Sequence, residues 1–249
     1  MRRCNGFGLS DAENMTNMTT SNLEILAYEE TPLGKLCLRR RRPLHEPETT
    51  VTEITLNHEF LMSSYYTDSE RALASVALQM HGGKNLDILI GGLGLGYTVA
   101  AALQGTQVAS AEVVEFLPQV IAWMDQGLVP LAAQLGADQR LRMVEGDIYG
   151  RLAAPPQKTF DVILIDVDHS PDERLDTGCG RFYTREGLRA ARDHLTPGGV
   201  LAVWSYAQDS PFADALRSVF GDVRIESVSF VHKFLNNEKH TDWLFFARR

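Results

Sequence analysis

The sequence predicts an α/β protein, a doubly wound sheet preceded by a small β-hairpin appendage, and three observations predict it. A short apolar run, Asp87-Ile88-Leu89-Ile90-Gly91, enters a turn with glycines at 92, 94 and 96 and continues into the alanine-rich segment Tyr97 to Leu103. Beyond it, strand-length apolar runs alternate with segments of helical spacing to the end of the chain. Three of those runs finish at an acid: Glu115, Asp147 and Asp166. Sheets of this class bind ligands outside the carboxyl ends of their strands, where these residues would gather.

Taken in order, residues 1–22 are polar, rich in Asn, Thr and Ser, and lack the apolar core of a secretory signal; a disordered tail, in part an expression remnant, is expected. Residues 23–66 form the appendage. Its strand-like pieces, Leu36 to Arg39 and Val51 to Leu56, lie among the turn residues Pro32, Gly34, Pro43 and Pro47. Residues 67–249 form the main domain. It opens with a helix, in which Ala72, Leu73, Val76, Ala77 and Met80 keep one face, stopped by Gly82-Gly83. Strands follow at Gln107 to Glu115, Leu141 to Glu145, Phe160 to Ile165 and Val200 to Trp204. Helices are expected at Leu117 to Met124, Glu186 to His194 and from Pro211 through Val219. Two closing strands, Val223 to Val231 and Trp243 to Ala247, make the last one antiparallel.

The 249 residues suffice for one full domain and an appendage, and 44% hydrophobic with 22% charged residues is ordinary for a globular chain. No apolar run reaches the roughly 20 residues of a membrane span, so no membrane partner is expected. A net charge of −8 argues against nucleic acid and suits a small cationic substrate. The one basic run, Arg39 to Arg42, reads as a solvated strand end. Cys4, Cys37 and Cys179 stand alone, without zinc or disulfide spacing, which suits a reduced, cytoplasmic setting.

The glycine turn carries the first functional reading. Glycine permits positive φ and leaves no Cβ, so backbone amides and a helix N-terminus can lie against a ligand. The spacing is G-x-G-x-G, not the G-x-G-x-x-G of dinucleotide binders, which favours a sulfonium nucleoside over NAD. Gly91, Gly92, Gly94 and Gly96 would form the turn, Glu115 would accept from the ribose hydroxyls, and Asp147 would stand beside the adenine amino group. A purely structural use of Glu115 and Asp147, as helix caps, is the alternative.

The stretch Asp166-Val167-Asp168-His169-Ser170-Pro171-Asp172-Glu173 carries the second. An amine nucleophile arrives protonated, with a pKa near 10.4 in the lysine model, and must lose that proton before attack. Asp166 is the expected base, with Asp168 or His169 assisting; Asp168 and Asp172 could instead cap a helix. Tyr183 could reach the pocket rim or serve as a core staple, and Trp204-Ser205-Tyr206 could wall it or pack in the core. No metal-ligand spacing occurs, and no metal is expected.

At these residues the chain resembles the spermidine synthase family of polyamine aminopropyltransferases, from about Leu33 to its end. The resemblance is carried by Gly91 to Gly96, Val114-Glu115, Gly146-Asp147, Phe160 to Asp166, Phe182-Tyr183 and Leu195 to Gly199. More narrowly it is similar to a bacterial spermidine synthase-like subgroup with Gly-Gly-Leu-Gly-Leu-Gly-Tyr-Thr and Asp-x-Asp-His-Ser-Pro. The resemblance implies an N-terminal β-domain and a Rossmann-like sheet of the S-adenosylmethionine-dependent methyltransferase type, in a homodimer. It also implies aminopropyl transfer from decarboxylated S-adenosylmethionine to an amine, releasing 5′-methylthioadenosine, with Glu115 at the ribose, Asp147 at the adenine and Asp166 catalytic. Two departures stand out. Gly94 falls where the family's glycine loop carries an aspartate, and Asn57-His58-Glu59 replaces the family's Tyr-His-Glu. The first leaves open intact S-adenosylmethionine as donor, with methyl or aminocarboxypropyl transfer as the reaction, or a non-catalytic nucleoside-binding homologue.

Overall fold

The structure, a computed structural model, describes residues 22–167, 179–208, 210–232 and 238–249. The tail expected at 1–22 lies outside them but for Asn22. The appendage is a four-stranded antiparallel meander, β1 (Leu23–Thr31), β2 (Gly34–Arg41), β3 (Val51–Leu56) and β4 (Glu59–Ser63), in that order across the sheet. It is larger than the hairpin expected from sequence. The central pair β2 and β3 carries the recognisable apolar residues, whereas the edge strand β1, Leu-Glu-Ile-Leu-Ala-Tyr-Glu-Glu-Thr, mixes apolar and charged residues without a clean alternation.

Cross-strand partners share a face, and here the two faces differ sharply. Leu36, Leu38, Ile54 and Leu56 point inward into the main core, each burial contributing about 1.5–3 kcal/mol. Arg40 and Glu29 also face inward and tie the meander down: Arg40 Nη2 donates to the Leu128 carbonyl at 3.0 Å, and Trp123 Nε1 donates to Glu29 Oε1 at 2.9 Å. Arg39 and Arg41 face outward and share Glu53, at 2.9 and 2.5 Å, so one buried carboxylate offsets part of the basic run within the sheet. A register shift between Ile25 and Ala27 keeps Ile25 and Tyr28 on that same outer face, both exposed.

The main sheet has seven strands in the order β10-β11-β9-β8-β5-β6-β7. They are β5 (Leu86–Gly91), β6 (Val108–Glu115), β7 (Leu141–Glu145), β8 (Phe160–Ile165), β9 (Leu195–Ser205), β10 (Asp222–His232) and β11 (Glu238–Arg248). Strands β5 to β9 pair in parallel, and β11 runs antiparallel between β9 and β10. Eight helices accompany them among the described residues: α1 (Asp68–His81), α2 (Tyr97–Gln104), α3 (Pro118–Asp125), α4 (Ala132–Gly136), α5 (Ile148–Ala153), α6 (Cys179–Phe182), α7 (Arg185–Asp193) and α8 (Ser210–Val219). The short helices α4, α5 and α6, too brief to show a period, were not legible in the sequence.

The inner parallel strands β5 and β8 are buried on both sides, which explains their nearly unbroken apolar runs. Ile88, Ile90, Val162 and Leu164 join α1, α2 and the meander in one core; Leu89, Ile163, Ile165 and Leu201 join α5, α7 and α8 in the other. Strand order reverses at β5, whose neighbours are β6 on one side and β8 on the other. The glycine turn leaves the sheet at that reversal, where a crevice opens.

Candidate active site

A cavity of about 200 Å³ occupies this crevice, lined from the main domain by Gly92, Gly94, Glu115, Asp147, Tyr149 and Asp166 among others. The meander supplies the facing wall through Leu33, Leu36, Ile54, Leu56, Leu61 and Met62. The appendage therefore covers the site, a point the sequence left open.

The turn is held by its own geometry. At Gly92 φ is +94°, and a Cβ there would lie 2.0 Å from the Asp166 carbonyl oxygen, so only glycine lets the ends of β5 and β8 pass this closely. A Cβ on Gly94, at φ +49°, would meet the Met62 sulfur at 2.5 Å, and the Leu95 amide points at the same sulfur at 3.2 Å. Gly91 and Gly96 frame the turn without lining the cavity: Gly91 accepts the Asp166 amide at 2.8 Å, and Gly96 precedes α2.

Glu115 is almost wholly buried. Its Oε2 accepts from the Leu93 amide and its Oε1 from the Leu117 amide, both at 2.8 Å, so one carboxylate ties the glycine turn to the start of α3. Burial raises its pKa, and the amide hydrogen bonds oppose that rise. Asp147 caps α5, its Oδ1 accepting from the Tyr149 amide at 2.8 Å, and it also borders the cavity. Both uses of this residue, cap and pocket acid, coexist. Glycines that let backbone approach, a buried acid and an apolar facing wall suit a nucleoside.

Asp166, half-buried at the end of β8, has its Oδ2 bonded by the hydroxyl of Thr98 on α2. Asp242, on β11, stands close enough for its charge to act on Asp166, and the charges of both act on Glu70, on the first turn of α1. Burial raises the pKa of Glu70 to about 8, with the Asp166 charge adding to it. Burial likewise raises Asp166 to about 6, helped by Asp242 and opposed by the Thr98 hydrogen bond. Asp242 is raised by its burial as well, against hydrogen bonding from Ser69. Among the described residues no three His, Cys, Asp or Glu side chains are disposed to hold a metal ion. Such a group of acids, each reluctant to ionise alone, suits an organic cation.

Of the remaining residues singled out in the sequence, Asp168 and His169 lie outside the described residues. Tyr183 packs against Tyr149, Phe182 and Phe212, with its hydroxyl 3.0 Å from that of Tyr149, and is not among the residues lining the cavity. Sequence reasoning missed Glu70, Thr98 and Asp242. Glu70 sits two residues into an ordinary helix start and Asp242 inside a strand, where acids carry no local signal. Glu59, the acid of the Asn57-His58-Glu59 stretch, is instead exposed.

No protein-family profile matches the chain. Polyamine aminopropyltransferase 2 of Streptomyces coelicolor is 34% identical over 124 residues, which is 49% of this chain and 22% of that protein. Spermidine synthase from Thermotoga maritima superposes with a TM-score of 0.71 over 90% of this chain and 72% of that one, at 18% identity. A spermidine synthase in complex with the transition state analogue AdoDATO superposes with a TM-score of 0.70 over 90% and 73%, at 20% identity. The fold is that of the spermidine synthases, and the resemblance seen in the sequence is carried by both comparisons.

Proposed function

We propose that this chain transfers an aminopropyl group from decarboxylated S-adenosylmethionine to a small cationic amine, releasing 5′-methylthioadenosine. One observation carries the reading: the Asp166 carboxylate stands at the wall of a nucleoside-sized crevice and is flanked by Glu70 and Asp242. The likeness to proteins named polyamine aminopropyltransferase and spermidine synthase supports it.

In this reading Gly92, Gly94, Glu115 and Asp147 hold the adenosine. The sulfonium supplies an activated carbon and a neutral thioether leaving group. Asp166 accepts a proton from the acceptor's ammonium, and a carboxylate raised to about 6 is a better matched base than an ordinary one. The freed nitrogen lone pair forms the C–N bond as the C–S pair returns to sulfur. Glu70 and Asp242 hold the cation beforehand by charge-assisted contact.

A second reading, methyl or aminocarboxypropyl transfer from intact S-adenosylmethionine, is favoured by one feature: Met62, not an acid, abuts Gly94. Incubating the purified chain with each donor and a diamine separates the two. Methylthioadenosine from the decarboxylated donor supports the first reading. S-adenosylhomocysteine, or methylthioadenosine from the intact donor, supports the second, and neither product overturns both. A cytoplasmic homodimer remains part of the proposal, with the outer face of the meander, bearing Ile25, Tyr28 and Phe60, as its candidate surface; sedimentation of the purified chain tests the dimer.

A further inference from the structure

We infer that Thr98 is the positioning residue for Asp166, fixing the orientation of its carboxylate at the crevice wall. The inference rests on the reading of Asp166 as the base. Thr98 lies in the first turn of α2, directly after the glycine turn, and is 2% exposed. A buried hydroxyl requires a partner, and this one donates to Asp166 Oδ2 while its other near neighbour, the Glu70 carbonyl oxygen, lies at 3.3 Å. Threonine is branched at Cβ, which restricts χ1, and at 2% exposure the packing around Thr98 leaves its hydroxyl little room to turn.

The remaining constraints on Asp166 come from its backbone, since its amide donates to the Gly91 carbonyl at 2.8 Å. With its amide and Oδ2 both bonded, the carboxylate is held against swinging. Of the titratable groups around it, Asp242 from β11 acts on Asp166, Asp166 and Asp242 act on Glu70 of α1, and His240 acts on Asp242 in turn. Burial and the Asp242 charge favour the protonated form of Asp166; Thr98 is the neighbour that opposes them. One helix residue thus couples the nucleoside turn to the base.

Thr98→Val removes the hydroxyl and keeps the shape, and Thr98→Ser restores the donor. Carbon-13 NMR of aspartate carboxyls in the unliganded protein, assigned with Asp166→Asn, reads the Asp166 titration directly. Thr98→Val should raise that pKa by about one unit, as expected for loss of a charge-assisted hydrogen bond. The acid limb of kcat/KM should move up by the same amount and kcat should fall about tenfold. Methylthioadenosine affinity should stay within about twofold, and Thr98→Ser should restore the wild-type profile. A titration unmoved by Thr98→Val, or a serine variant that behaves like valine, overturns the inference. A titration that moves in a chain without transferase activity upholds the positioning of Asp166 and overturns only the reading of the reaction.

Discussion

The two ends of the site are built in different ways. The proposed nucleoside end comes from the tips of neighbouring parallel strands: the turn after β5, Glu115 at the end of β6, and Asp147 just past β7. The proposed proton-transfer corner draws on α1, α2, β8 and β11, elements that begin as far apart in sequence as residues 68 and 238. In a parallel sheet the crossover rule carries successive strand ends to one edge, so the first end is specified locally and repeatedly. The second exists only because β11 inserts between β9 and β10 and α1 lies against β8, β9 and β11. Residues at the first end make hydrogen bonds to backbone amides, and they fix shape. Those at the second act on each other's charge.

The largest test of this division is a crossed one. Asp166→Asn keeps the size of the side chain and removes the base, so kcat should fall by about 10³-fold, some 4 kcal/mol in barrier, with methylthioadenosine affinity within about twofold. Calorimetric titration and turnover assays on one preparation check both halves. If affinity collapses together with turnover, the two ends are not separable.

Gly92→Ala should do the reverse by disturbing architecture. Its Cβ would lie 2.0 Å from the Asp166 carbonyl oxygen at a positive φ, so β5 and β8 must part. A loss of about 3 kcal/mol in unfolding free energy by chemical denaturation is expected, with loss of nucleoside binding. Smaller again is Glu115→Gln. Two buried amides then face one carbonyl and one NH2 group, leaving a donor against a donor. That costs about 1–3 kcal/mol, and nucleoside affinity should drop about 10- to 100-fold with the base titration unmoved. A shifted Asp166 titration in this variant would join the two ends.

The same division decides what could be read before the structure was known. β5 and β8 were legible to the residue or nearly so, because strands buried on both faces are nearly unbroken apolar runs. Glu115 and Asp147 were legible because an acid after such a run stands at a known edge. Edge strand β1 was not, since its bulge shifts the pattern midway and its inner face carries Glu29 to meet Trp123. Glu70, Thr98 and Asp242 were not, because each takes its meaning from a partner more than 65 residues distant or from a strand inserted out of order.

The last and smallest effect is one of pH. Glu70 and Asp166 have folded-state pKa values of about 8 and 6, well above the ordinary carboxylate range an unfolded chain would show. Between pH 4 and those values the native state holds protons that the unfolded state has released. By linkage, stability is then greatest below that window and declines as pH rises through it. The unliganded protein should therefore melt lower at about pH 8.5 than at pH 5.5, by on the order of 5 °C. Glu70→Gln, which cannot ionise, should flatten much of that decline, whereas Glu115→Gln, away from the cluster, should lower the whole curve with less change in its slope. A bound diamine should flatten it too, because a cation among the three acids draws their pKa values down and protons leave as it binds. Equal pH slopes in wild type and Glu70→Gln would mean that neither burial nor the neighbouring charges raise Glu70 in the folded chain, and the contrast between the two ends would reduce to one of hydrogen-bond geometry.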